Sequence, residues 1–286
     1  MAISRKPKPA DFGLNVTITL ACITVPDDVI VCVSDRKLSW AGDRIQADDN
    51  AIYKTLGLSM EWKLAYACDD IDMIFPIFQR TLDLLRPLGR VDGQEIRDIV
   101  HEAYVHVLQQ DFFSSRLARF GYNDLADFKV RGQADLGPVY FELMRDLSKH
   151  SINVELIIMG YNKQNQARMY GIDADARHTD YNLTKTAVIG SGYWTAQASL
   201  TRRPMNYYLY PTIYRLLEAK FCAESGTVGK RTTAILFGRD KIPAILKTEE
   251  IEEIRNAYDK TVTVDDPQEA MDFIEAIPAV QGMEGS

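Results

Sequence analysis

The chain has 286 residues, 46% of them hydrophobic, enough for one large core or two modest ones, since domains usually hold about 100–200 residues. Asp and Glu number 40 against 33 Lys and Arg, a net charge of −7, which argues against a nucleic-acid surface because phosphate recognition draws on an excess of clustered cations. Cys22, Cys32, Cys68 and Cys222 show no CxxC spacing and read as reduced thiols, three of them in apolar runs where a thiol acts as a small hydrophobe. A cytoplasmic protein without a structural metal or cofactor is expected.

The N-terminal stretch MAISRKPKPADFG is basic and proline-bearing and leads into no apolar run of signal-peptide type. No later segment offers the roughly 18 charge-free apolar residues of a membrane span. Residues 1–16 are expected to be a leader, either a flexible arm or a propeptide whose removal exposes a new chain terminus. Residues 16–25 and 28–34 are apolar runs on either side of Pro26-Asp27, the pattern of a hairpin; a turn centred there sets Asp35 opposite Ile18. Residues 62–68, WKLAYAC, predict a third strand.

The pattern then turns helical from Asp72 to about Arg86, with Ile74, Phe75, Phe78, Leu82 and Leu85 on helical spacings. A second helix comes next over 92–113, where Ile96, Val100, Tyr104 and Leu108 recur every four residues. The stretch 112–137 is polar and irregular and reads as an insertion, with helix resuming in PVYFELMRDLSK. Strands return in NVELIIMGYN, QARMYGIDAD and KTAVIGSG; a helical block runs from about Ser199 to Cys222; RTTAILFG and IPAILK close the strands. Residues 248–286 form a C-terminal helical extension, its later helix opened by Asp266 as N-cap, Pro267 at the first helical position and Glu269 in a capping box. Grouped hairpins and paired helices, with no internal repeat or linker, predict an α+β domain over 17–247 in which helical layers cover antiparallel sheets. Apolar residues on the outer face of MNYYLYPTIYRLL predict a homo-oligomer that covers them.

Short motifs stand at the joints of this pattern: TITLA at 17–21, CVSDRK containing Asp35, AIYKTLGL containing Lys54, AYACDDID at 65–72, VIGSGYWTA containing Ser191, and AESGTVGKRTTAILF containing Ser225. Each is weak alone, but six in order resemble the proteasome β-type and bacterial ATP-dependent-protease peptidase family of N-terminal-nucleophile hydrolases. The resemblance runs from about residue 16 to about residue 247. It implies a four-layer αββα sandwich, a threonine endopeptidase acting on peptides or unfolded proteins, assembly into rings or stacked rings, and an unfolding ATPase as a partner in some members.

The resemblance also assigns roles. A threonine hydroxyl is a weak nucleophile, and at a chain terminus its own α-amine, with an ordinary pKa of about 7.7–8.0, takes the proton directly or through water. Lys54 lowers that pKa and stabilises the charge developed in attack, and Asp35 holds Lys54. Ser191 and Ser225 hydrogen-bond the amine and its water, and the backbone N–H of Cys68 serves as oxyanion donor. Counting back from Asp35 without gaps makes Thr19 the nucleophile; the TITLA match and the hairpin turn favour Thr17.

This sequence departs from the family in places. Val16 precedes Thr17 and Ile18 precedes Thr19 where active precursors carry glycine; Cys68 replaces a glycine and Cys222 an aspartate. The chain is therefore either a threonine peptidase made as a precursor or a catalytically silent subunit that acts as a ring or scaffold component. His101, His106, His150 and His178 show no ligand-set spacing and read as helix-surface or loop residues.

Overall fold

The computed structural model describes residues 17–26, 28–36, 53–68, 70–224, 228–260 and 267–284. The leader 1–16 and Ser225 therefore lie outside the described residues. The chain is mixed α and β, with two five-stranded antiparallel sheets. In the first, β1 (Thr19–Ile23), β2 (Ile30–Asp35), β8 (Thr186–Ile189), β9 (Thr232–Phe237) and β10 (Ala244–Ile245) lie in the order β10-β9-β2-β1-β8. In the second, β3 (Thr55–Gly57), β4 (Trp62–Cys68), β5 (Val154–Tyr161), β6 (Ala167–Ile172) and β7 (His178–Asp180) lie in sequence order.

The β1–β2 hairpin pairs Thr19 with Ser34 through Ile23 with Ile30. The next rung is present as the Asp35 N–H donating to Ile18 O at 3.2 Å, the register expected of a turn at 26–27. Alternation along each strand divides its side chains between two apolar clusters. Ala21, Ile23, Ile30, Cys32, Ile235 and Phe237 of the first sheet share one cluster with Ala65, Ala67, Ile157, Met159 and Met169 of the second. The opposite faces of the first sheet's strands (Leu20, Val31, Val33, Ala234, Leu236) pack with Ile213, Leu216 and Leu217. Those of the second (Leu64, Tyr66, Leu156, Ile158) pack with Ile74, Ile77, Ile96, Val100 and Tyr104. Burial of both faces explains why these strands read as near-continuous apolar runs.

The helices of the second sheet's cluster are α1 (Ile74–Leu85) and α2 (Gly93–Phe112), the latter opened by a capping box of Asp92 and Glu95. The stretch expected to be irregular contains a further helix, α3 (Leu125–Leu136), capped by Asp124, whose carboxylate accepts the Asp127 N–H at 2.7 Å. Only Phe128 and Gly132 of α3 are buried, too few to leave an apolar period in the sequence. Phe128 joins Phe112, Leu117, Tyr122 and Leu143 in a small separate cluster, the last from α4 (Pro138–Leu147). The block expected from Ser199 to Cys222 is two helices, α5 (Tyr193–Thr201) and α6 (Leu209–Cys222), with Pro204 in the gap, where it supplies no N–H for a continuous ladder.

The extension forms α7 (Thr248–Lys260), α8 (Gln268–Ala276) and α9 (Pro278–Gln281). Pro267 is the N-cap of α8 in extended conformation, so the helix starts one residue later than expected and Glu269 falls at its second position, outside a capping box; Asp266 lies outside the described residues. Ile251, Ile254, Ile274, Ile277, Val280 and Met283 sit in the same cluster as Ile213, Leu216 and Leu217 of α6. The chain's own C-terminal helices thus share a cluster with much of the apolar surface of 205–217 that predicted a second subunit, while Tyr208 stays 62% exposed.

Candidate active site

β1 begins and β2 ends at the same end of these two interior strands of the first sheet, so the hairpin register brings Thr17 and Ile18 beside Asp35. Asp35 is fully buried. Its Oδ1 accepts the Thr17 hydroxyl and the Ile18 N–H, each at 3.0 Å, and the Lys54 ammonium at 2.6 Å. Lys54, 3% exposed, also donates to Thr17 Oγ1, so ammonium, hydroxyl and carboxylate meet at one point. Lys54 arrives from the second sheet: it immediately precedes β3, and its carbonyl accepts the Tyr66 N–H of β4 at 3.1 Å. Such a buried pair is tolerated only when geometry and additional hydrogen bonds compensate the desolvation of both charges.

Thr19, the alternative nucleophile, does not join this cluster. Its hydroxyl donates to the Tyr66 carbonyl at 2.9 Å, and the residue is fully buried. Ser191 is brought in, exposed beside the buried cluster: its Oγ accepts the Thr17 backbone N–H at 3.0 Å and donates to Thr17 O at 3.4 Å. Cys68 ends β4 next to this corner and is half-buried. Cys222 lies against the Tyr258 hydroxyl of α7 at 3.3 Å.

Three residues that the sequence reading did not assign complete the corner. Gly190 has φ +95°, and a Cβ there would stand 2.2 Å from Thr17 O, so only glycine lets the chain pass the threonine in this conformation. The Gly190 N–H is held by Glu155 Oε2 at 2.5 Å; the sequence signal was a lone carboxylate in the apolar strand VELIIMGY. Gly229 donates its N–H to Asp35 Oδ2 at 3.3 Å, fixing the second carboxylate oxygen.

Burial pushes the Cys22 and Cys32 thiols up to about 12, which keeps them protonated and unreactive. Lys220 of α6 is fully buried, and desolvation lowers its ammonium from 10.5 to about 8, against the opposing pull of Glu224. Between these values the unfolded chain binds more protons at this position than the folded one. The Lys220 contribution to stability therefore rises with pH across about 8–10.5 and is lost as pH falls through 8, by up to roughly 3 kcal/mol. Cys22 and Cys32 act in the opposite direction above pH 9, so the quantity to measure is the gap in denaturation free energy between the wild type and Lys220→Met. That gap is expected to shift in favour of the wild type from pH 8 to 10; a constant gap contradicts the lowered ammonium.

Among the described residues no group of three or more His, Cys, Asp or Glu is placed to hold a metal ion, and no helix is long and apolar enough to cross a membrane. His150 bonds Asp111 at 2.7 Å and His101 the Ala176 carbonyl at 3.0 Å, both remote in sequence from the Thr17 cluster. No family model matches the chain, and no curated protein matches it either.

Proposed function

We propose that the chain is a threonine-type N-terminal-nucleophile hydrolase, similar to the proteasome β-type and bacterial ATP-dependent-protease peptidases, made as a precursor and active once residues 1–16 are removed. On this reading the two sheets and the helices packed against them are the superfamily's αββα sandwich. The observation that carries the proposal is the meeting of Thr17 Oγ1, Lys54 Nζ and Asp35 Oδ1 at a buried point, next to a Ser191 hydroxyl that contacts the Thr17 backbone nitrogen.

In the full chain that nitrogen belongs to the amide joining Val16 and Thr17, which has no basic lone pair. Cleavage there leaves an α-amine beside Ser191 Oγ, able to take the proton of the Thr17 hydroxyl directly or through water. The Thr17 oxygen then attacks a peptide carbonyl carbon while Lys54 offsets the developing charge. The leaving amine receives the proton, an ester to Thr17 forms, and water hydrolyses it with return of the hydroxyl. The backbone N–H of Cys68 is the proposed oxyanion donor. Peptides or unfolded proteins are the proposed substrates, in a cytoplasmic homo-oligomer, with an unfolding ATPase as a partner. Val16 favours a second reading, since a β-branched residue resists the bent backbone of self-cleavage: the chain then serves as a catalytically silent structural subunit.

Intact mass separates the two, with a loss corresponding to residues 1–16 supporting the enzyme. A protein begun at Thr17 is expected to cleave peptides, and Thr17→Ala in it to abolish cleavage. Folded protein begun at Thr17 or at Thr19 that stays inert towards a broad peptide library selects the silent subunit.

A further inference from the structure

We propose that Lys220, together with Glu224 and Arg255, forms a positioning network that holds Gly229 against Asp35 and thereby sets the orientation of that carboxylate. The catalytic meaning of this network rests on the threonine-hydrolase reading; its geometry does not.

Lys220 lies in the last turn of α6 with no exposed surface. Its ammonium donates to Gly229 O at 2.8 Å and Lys230 O at 2.7 Å and pairs with Glu224. Three acceptors match the three hydrogens of an ammonium. Glu224 is gripped in turn by Arg255 of α7, which donates to both carboxylate oxygens at 2.7 Å and to Lys230 O at 2.9 Å. The Arg255 guanidinium also lies 4.1 Å over the Phe221 ring, which restrains it further. Two helices, one of them from the C-terminal extension, thus fix the backbone at 229–230 just before β9.

That backbone is where the second oxygen of Asp35 is held. Oδ1 gathers Lys54, Thr17 and Ile18, while Oδ2 accepts the Gly229 N–H. With one oxygen on the cluster and the other on a fixed N–H, rotation of the carboxylate about its Cβ–Cγ bond is restrained, and the Lys54 and Thr17 contacts keep their alignment. Hydrophobic packing alone does not call for an ammonium at 220, because an unbranched apolar side chain fills the same space without desolvating a charge. Lysine at this position is explained by the two carbonyls it holds.

The test reads amide hydrogen exchange residue by residue in the full chain. Lys220→Met is expected to speed exchange at Gly229 by about ten- to a hundred-fold, the range carried by hydrogen bonds to charged groups, with β5 and β6 amides unchanged. Glu224→Gln, which keeps the side-chain shape, is expected to move Gly229 in the same direction, and Asp35→Asn to do so from the other side of the bond. In protein begun at Thr17, Lys220→Met is expected to lower kcat about ten-fold or more with KM nearly unchanged. Gly229 exchange that is unaltered in both Lys220→Met and Glu224→Gln, or that rises only together with the β5 and β6 amides, overturns the proposal. If the trimmed protein is inert while Gly229 responds as expected, the hydrolase reading fails and the positioning of Asp35 stands.

Discussion

Lys54→Met in the full chain is expected to destabilise the fold by about 3–5 kcal/mol, the usual result of removing one partner from a buried ion pair. Asp35 has no exposed surface, and the Lys54 ammonium lies 2.6 Å from its Oδ1, so the variant removes this cation from beside a carboxylate deep in the protein. Adding Asp35→Asn to Lys54→Met removes the carboxylate charge as well and is expected to recover part of the stability. Activity takes a different course. In protein begun at Thr17, Lys54→Met is expected to lower kcat/KM by at least two orders of magnitude, roughly 3 kcal/mol of barrier, and the double variant to restore none of it, because the hydroxyl still lacks the ammonium that stabilises charge in attack. Chemical denaturation and peptide hydrolysis on the same preparations separate the two effects. Equal stability of Lys54→Met and wild type would contradict the buried pair.

The second large effect is expected at Gly190. Alanine there must adopt φ +95°, and its Cβ would meet Thr17 O at 2.2 Å and Thr17 C at 3.0 Å. Left-handed strain in a non-glycine residue costs about 1–3 kcal/mol, and forcing an atom into a filled site about as much again, so Gly190→Ala is expected to lose roughly 2–6 kcal/mol of stability. The atom that must give way is backbone, with no rotamer to relieve it. Thr17 is therefore pushed off Ser191 Oγ, and hydrolysis in the trimmed protein is expected to fall about a hundred-fold or more. Gly57→Ala is the control: a Cβ at Gly57 meets nothing within 4 Å, and a change within about 0.5 kcal/mol is expected. Similar denaturation midpoints for the two alanine variants would contradict the close passage of Gly190 over Thr17.

Local patterns wrote most of the secondary structure into the chain. Alternation around Pro26 predicted the first hairpin, and four-residue spacing predicted the helix at 93–112. Elements with little buried surface left no such trace: β3 and β7 are three residues each and carry no fully buried side chain, and α3 buries two residues. The apolar outer face at 205–217 was visible, but its partner was not. Ile274 and Val280, which join its cluster from the same chain, are more than fifty residues away, and apolar surface alone does not say what will lie against it.

The candidate site divides along the same line. The sequence by itself determined that Asp35 stands opposite Ile18, because a tight turn and a period of two leave one register for a hairpin buried on both faces. It also supplied Lys54 and Ser191 as candidates through the order of short motifs. The hairpin turn already favoured Thr17 over Thr19, but only the tertiary structure shows what each hydroxyl meets. The second sheet places a carbonyl of Tyr66 at Thr19 and the ammonium of Lys54 at Thr17. Glu155, Gly229 and Lys220 came into view the same way, since each acts on the site through a backbone group distant in sequence, and one side chain's hydrogen-bond partner across the fold leaves no period, spacing or composition for a linear reading to find.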